Sequence, residues 1–147
     1  MKKRNAFTLI EVLIVVIIMA VLAATIIPQF SESTKDAKTS SLDFNLHTIR
    51  SQIEMYKVHH LGTLPTAADF ADQMTKETNV DGGFTGDTPY GPYIQGEIPN
   101  NPFNGSNEVV AVAAEGTVPT DVVAGGAGWQ YDQSTGGFYP NNDEWYD

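Results

Sequence analysis

Residues 7–27 read FTLIEVLIVVIIMAVLAATII, 21 residues that carry one charge, Glu11. As a helix this run has the length needed to span a hydrocarbon core of about 30 Å, and it limits the chain's possible folds more than any other stretch. The basic cluster Lys2-Lys3-Arg4 precedes it. Positive charge of that kind stays on the cytoplasmic side, which sends everything after Ile27 across the membrane. A secretory signal peptide is the alternative: a basic start and an apolar run, with the small residues of Leu22-Ala23-Ala24 as the cleavage site. Against it stand the length of the run and Glu11, since a carboxylate inside the apolar layer costs several kcal/mol unless it is paired.

Cleavage between Ala6 and Phe7 would supply that partner. The new α-amino group lies in the same layer as Glu11, four residues on. Within one helix the carboxylate also complements the positive end of the dipole. Between neighbouring subunits the pair would fix axial register, because a buried charge without its partner is strongly destabilising.

The remaining chain splits by composition. All 13 glycines follow residue 61 and seven of the eight prolines follow residue 60, so helix is expected before Leu61–Gly62 and turns after it. Residues 61–147 hold thirteen acidic side chains and one basic one, Lys76, a formal charge of −12. A nucleic acid is therefore not an expected partner of this part, because phosphate contacts need Lys and Arg. With no cysteine in the chain, disulfides and thiolate metal sites are excluded.

Beyond Ile27 the helix turns amphipathic. Leu42, Leu46, Ile49, Ile53 and Tyr56 recur every three or four residues, with Asp43, Arg50, Glu54 and Lys57 placed elsewhere around the helix. If continuous from Phe7 to about His60, it would reach roughly 80 Å at 1.5 Å per residue. Pro28 lies within it, so a kink or local melting is expected near Ala24–Pro28, or else a second helix that begins there. His59-His60 suit the negative C-terminal end better than a metal, with Gly62 free to take a left-handed cap.

Thr66-Ala67-Ala68-Asp69 has the form of a capping box, and a short helix from Ala67 to about Glu77 is expected after it. Strands are expected at Glu108–Glu115, Gly128–Asp132 and Gly137–Pro140, the last two joined by a hairpin-type connection, Asp132-Gln133-Ser134-Thr135-Gly136. Trp129, Tyr131, Phe138 and Tyr139 would supply the sheet's contacts. The fold class is α+β: a long N-terminal helix, half transmembrane and half amphipathic, packed on a small antiparallel sheet. Domains are read as a leader at 1–6, a transmembrane helix at 7–27, its amphipathic continuation at 28–60 and an acidic head at 61–147.

Ala6-Phe7-Thr8-Leu9-Ile10-Glu11 and the apolar run after it resemble the class III signal of type IV pilins and pseudopilins. The family has Gly where this chain has Ala6, but a small residue is kept. Residues 49–57 (IRSQIEMYK), with His59-His60, Gly62 and Leu64-Pro65-Thr66, resemble the end of the long helix in the major pseudopilin of type II secretion systems. The resemblance implies a pilin-like fold, processing at Ala6–Phe7 by a prepilin peptidase, and N-methylation of Phe7. It also implies subunit registration through Glu11 and the Phe7 amine, a helix break at Pro28, and an inner-membrane protein with a periplasmic head. The implied partners are further copies of the chain in a filament, other pseudopilins, membrane lipid, an inner-membrane platform and a cytoplasmic ATPase.

Calcium is the one cofactor weighed. The resemblance implies it in the head loops, and Asp81, Asp87, Asp121, Asp132 and Asp143 have the right oxygens, but no segment has the spacing of a calcium loop. Turn chemistry accounts for these residues as well. The Pro99–Gly105 segment PNNPFNG departs from the acidic pattern of the family site. No nucleophile elbow, phosphate loop, His-Glu-x-x-His pair or triad is present, so catalysis is not expected. The competing reading is a single-pass tether for a small extracytoplasmic binding domain.

Overall fold

The computed structural model describes residues 7–146. The leader, with Lys2, Lys3, Arg4 and Ala6, lies outside the described residues. The chain divides into two units, one ending at Ala37 and one beginning at Lys38. The division falls inside the first helix, so the amphipathic stretch from Lys38 onward counts with the head.

Helix α1 spans Leu9–His59. The chain stays helical through residues 24–28, so a break at Pro28 does not take the form of melting. Within the second unit α1 buries the expected stripe: Leu42, Leu46, Ile49, Ile53 and Tyr56 are each at most 3% exposed. They pack with Phe70, Met74, Ile98, Trp129, Tyr131 and Phe138 into one core.

The helix ends in a left-handed turn. Gly62 N donates to the Lys57 carbonyl at 2.8 Å, the six-to-one bond of a Schellman motif, with His60 as the last cap residue. Leu61 at φ 56° therefore takes the left-handed cap position that was expected of Gly62, and Gly62 follows at φ 90°.

α2 covers Phe70–Thr75, shorter than the expected Ala67–Glu77. Thr66 and Asp69 do bond to each other, Asp69 N to Thr66 Oγ1 and Thr66 Oγ1 to Asp69 Oδ2, both at 3.2 Å. Thr66 N, however, donates to Gln73 Oε1 instead of closing the box. At the other end the Met74 carbonyl accepts from Tyr93 N and Ile94 N, which diverts it from the helix.

Three strands follow, β1 (Val109–Ala111), β2 (Trp129–Asp132) and β3 (Gly137–Pro140), in the order β1-β2-β3. β2 and β3 are antiparallel as expected, with Tyr131 opposite Phe138. β1 corrects the expectation of an antiparallel sheet, since it pairs with β2 in parallel, Val110 beside Gln130. A parallel neighbour needs a connection of a dozen or more residues, and 112–128 supplies one without a helix. A four-residue helix, α3 (Asp143–Tyr146), closes the described chain.

The sheet's aromatics anchor loops as well as filling the core. Trp129 Nε1 donates to the Pro99 carbonyl at 2.8 Å, and Tyr131 OH to the Pro65 carbonyl at 3.0 Å. Arg50 of α1 holds β3, donating through Nε and Nη2 to the Phe138 carbonyl at 3.0 and 2.6 Å.

Candidate functional site

Phe7 and Glu11 stand at the start of α1, and Thr8 joins them there. Thr8 N and Thr8 Oγ1 both donate to Glu11 Oε2, at 2.7 and 2.8 Å, and Glu11 N faces Thr8 Oγ1 at 3.3 Å. With the helix beginning at Leu9, this is a reciprocal capping box with Thr8 as N-cap and Glu11 at the third helical position. It gives Glu11 a local partner that the sequence reading missed, although Thr-x-x-Glu ahead of an apolar run is the pattern that signals it.

Both Thr8 donors converge on one carboxylate oxygen. Neither depends on the leader, since the Phe7–Thr8 peptide outlasts a cut before Phe7. From this cap the helix presents Leu9, Ile10, Val12, Leu13 and the apolar residues after them to the outside, Leu9 at 85% and Ile27 at 68% exposed. An 18-residue window here has mean hydropathy 3.0 with none of it buried, long and apolar enough to cross a membrane by length and composition.

The histidines serve the head. His60 is buried, its ring stacked on Tyr56 at 3.7 Å between centroids, with Nδ1 at 2.8 Å from the Tyr56 carbonyl and Nε2 at 3.0 Å from Thr78 Oγ1. A carbonyl can only accept, so Nδ1 carries the proton and Nε2 accepts from the Thr78 hydroxyl. His59 Nδ1 lies 3.0 Å from Tyr93 OH. Both rings are engaged with tyrosine, threonine and backbone.

The aspartates considered for calcium are scattered: Asp81, Asp87 and Asp121 lie outside helices and strands, Asp132 ends β2 and Asp143 opens α3. Asp81 and Asp87 are exposed, the former with its N–H bound to Asn79 Oδ1. Asp121 Oδ1 accepts from Val122 N. Asp132 is fully buried, and its carboxylate is enclosed by donors: Gly116 N at 2.8 Å, Ser134 N at 2.9 Å, Ser134 Oγ at 2.7 Å and Thr135 Oγ1 at 2.9 Å. Burial pushes its pKa up, but the donors from Ser134, Thr135 and Gly116 outweigh that and hold it below the usual carboxylate value. An oxygen ringed by N–H and O–H groups is not offered to a cation. Among the described residues no three His, Asp or Glu side chains gather as metal ligands.

A capped, apolar, exposed helix leading into a small α+β head defines a pilin-like subunit, and comparison with known proteins agrees. Residues 1–27 match the prokaryotic N-terminal methylation motif, and residues 29–142 match type II secretion system (T2SS) protein G. The chain belongs to the type II secretion system protein G family, the pseudopilins. It is similar to type II secretion system core protein G of Vibrio cholerae, 26% identical over 130 residues that cover 88% of this chain and 85% of that protein. The Pseudomonas aeruginosa protein of the same name is 29% identical over 77 residues, 52% of this chain and 54% of that one. The Klebsiella pneumoniae protein is 22% identical over 118 residues, 80% and 82% respectively. No solved structure matches significantly.

Proposed function

We propose that this chain is a structural subunit of a type II secretion pseudopilus, cut between Ala6 and Phe7, N-methylated on Phe7, and polymerised through the N-terminal half of α1. The observation that carries this reading is an unburied apolar helix, capped at Thr8–Glu11 and matching the methylation motif, in a chain whose head closes its own core. In the membrane pool that surface is covered by lipid. In the filament it is covered by the helices of other copies, which pack as a heterologous contact that extends without closing.

Glu11 has two tasks in this scheme. Oε2 holds the Thr8 cap, and Oε1 takes the Phe7 amine of an arriving subunit, which sets its register. The subunit is anchored in the inner membrane with its head in the periplasm. A prepilin peptidase, other pseudopilins, an inner-membrane platform and a cytoplasmic ATPase are its partners, and its role is structural, without catalysis.

The test is the N-terminal mass of the protein from cells with and without the peptidase, beside Glu11→Ala and Thr8→Val scored for filament assembly. A peptidase-dependent product starting at N-methyl Phe7, with assembly lost in Glu11→Ala and largely kept in Thr8→Val, supports the reading. Equal loss in both variants would assign Glu11 to the cap alone. An N-terminus near Thr25 would make the segment a secretory signal.

A further inference from the structure

Two asparagines pin the loop 101–106 to the residues just before β2 and just after β3, and a third, Asn141, ties those residues to 123, all with their amides the same way round. Asn101 is fully buried; its Oδ1 accepts from Phe103 N at 2.9 Å, and its Nδ2 donates to the Gly128 carbonyl at 2.8 Å and to Asn142 Oδ1 at 2.9 Å. Asn104 repeats the pattern. Its Oδ1 accepts from Ser106 N at 3.1 Å, and its Nδ2 donates to the carbonyls of Ala127 and Asn141 at 2.9 and 3.0 Å.

Asn141, 5% exposed, is the third. Its Oδ1 accepts from Val123 N and Gln130 Nε2 at 2.7 and 3.0 Å, while its Nδ2 donates to the carbonyls of Val123 and Ala127 at 2.9 and 3.0 Å. Chemistry fixes each orientation, because a reversed amide would set oxygen against carbonyl oxygen and N–H against N–H. Three NH₂ groups thus each bridge two oxygens; the oxygens come from two segments, 123–128 and 141–142, and two of the three NH₂ groups come from a third, 101–106. The backbone approach is close: a Cβ on Gly128 would collide with the Ser106 carbonyl.

Drawing oxygens from different loops together is what a bound calcium ion does, and its ligands must themselves be oxygens. Here the bridging atoms are hydrogen-bond donors, which cannot ligate a cation, so these residues do not fit the calcium that the family resemblance implies. We propose that this asparagine clamp does the work of a loop-binding metal, so that the head holds its fold independently of calcium, and that aspartate in place of a clamp asparagine makes that fold cation-dependent. The oxygens of Gly128 and Asn142, which now accept from Asn101, would then face a carboxylate, with a divalent ion as the bridge.

The clamp holds or fails independently of whether the chain polymerises. The experiment is thermal unfolding of the full-length chain in detergent, followed by the fluorescence of buried Trp129, in EGTA and in millimolar calcium. The wild-type midpoint should be the same in both. Asn101→Ala should lower it by about 5 °C or more in both alike, and Asn101→Asp should lower it in EGTA and recover in calcium. If Asn101→Asp does not fold, Asn104→Asp, at an exposed position, is read the same way. A wild-type midpoint raised by calcium would overturn the proposal, and so would an Asn101→Ala midpoint that does not move or an aspartate variant indifferent to calcium.

Discussion

Asp132 shows what one residue can hold in a head rich in glycine. Its carboxylate takes four donors from two loops, Gly116 on one side and Ser134 and Thr135 on the other. Removing it in Asp132→Ala strands these donors, and the expected loss is about 2–3 kcal/mol in a denaturant titration. The same residue sets the acid limit of the head. Its pKa in the fold lies below the unfolded value, so its contribution is complete above that value and is lost as pH falls through the folded one.

The alkaline limit has the opposite sign. Burial, with Tyr56 and Tyr90 close by, pushes Tyr93 up to about 12, while in the unfolded chain it ionises near 10. Stability that Tyr93 contributes below the lower value is lost as pH rises between the two. Midpoints measured across the pH range should therefore fall at both ends, and Asp132→Asn should remove most of the acid slope.

At the scale of elements, the helices and the hairpin were legible because their signals are local. The recurrence of Leu42, Leu46, Ile49, Ile53 and Tyr56 states which face of α1 is buried, and the 133–136 linker is short enough to force β2 and β3 antiparallel. The direction of β1 was not legible from its residues. A strand of three residues carries no mark of its direction, and the 112–128 connection is long enough to permit either one. Glu11 was legible as an unusual charge, but its bond to Thr8 was overlooked in favour of the distant amine.

The cap of α1 leads to a prediction at this scale. Leu61 is 86% exposed and left-handed, a conformation that costs a side chain with a Cβ about 1–2 kcal/mol. Leu61→Gly should therefore raise the melting midpoint by about 2–4 °C, as no buried contact is given up. A lower midpoint would mean that the leucine side chain is covered.

For the molecule as a whole, two surfaces differ in character: an exposed apolar segment with mean hydropathy 3.0, and a head whose residues 61–147 carry a formal −12. In the proposed filament, like charge between heads sets a repulsion that screening relieves, so filament yield should rise from low to physiological salt. A yield that fell with added salt would count against apolar helices as the adhesive element. Before assembly the chain should stay with the membrane fraction through an alkaline wash and leave it only with detergent.

Arg50 and the core stripe have a mechanical consequence. The head grips α1 side-on along several turns, from Leu42 to Tyr56, and Arg50 fastens the last strand to the same helix. A pull along the helix axis therefore strains all these contacts together, in shear, and does not peel them one at a time. The proposed filament, built from such helices, would keep its heads when pushed or drawn.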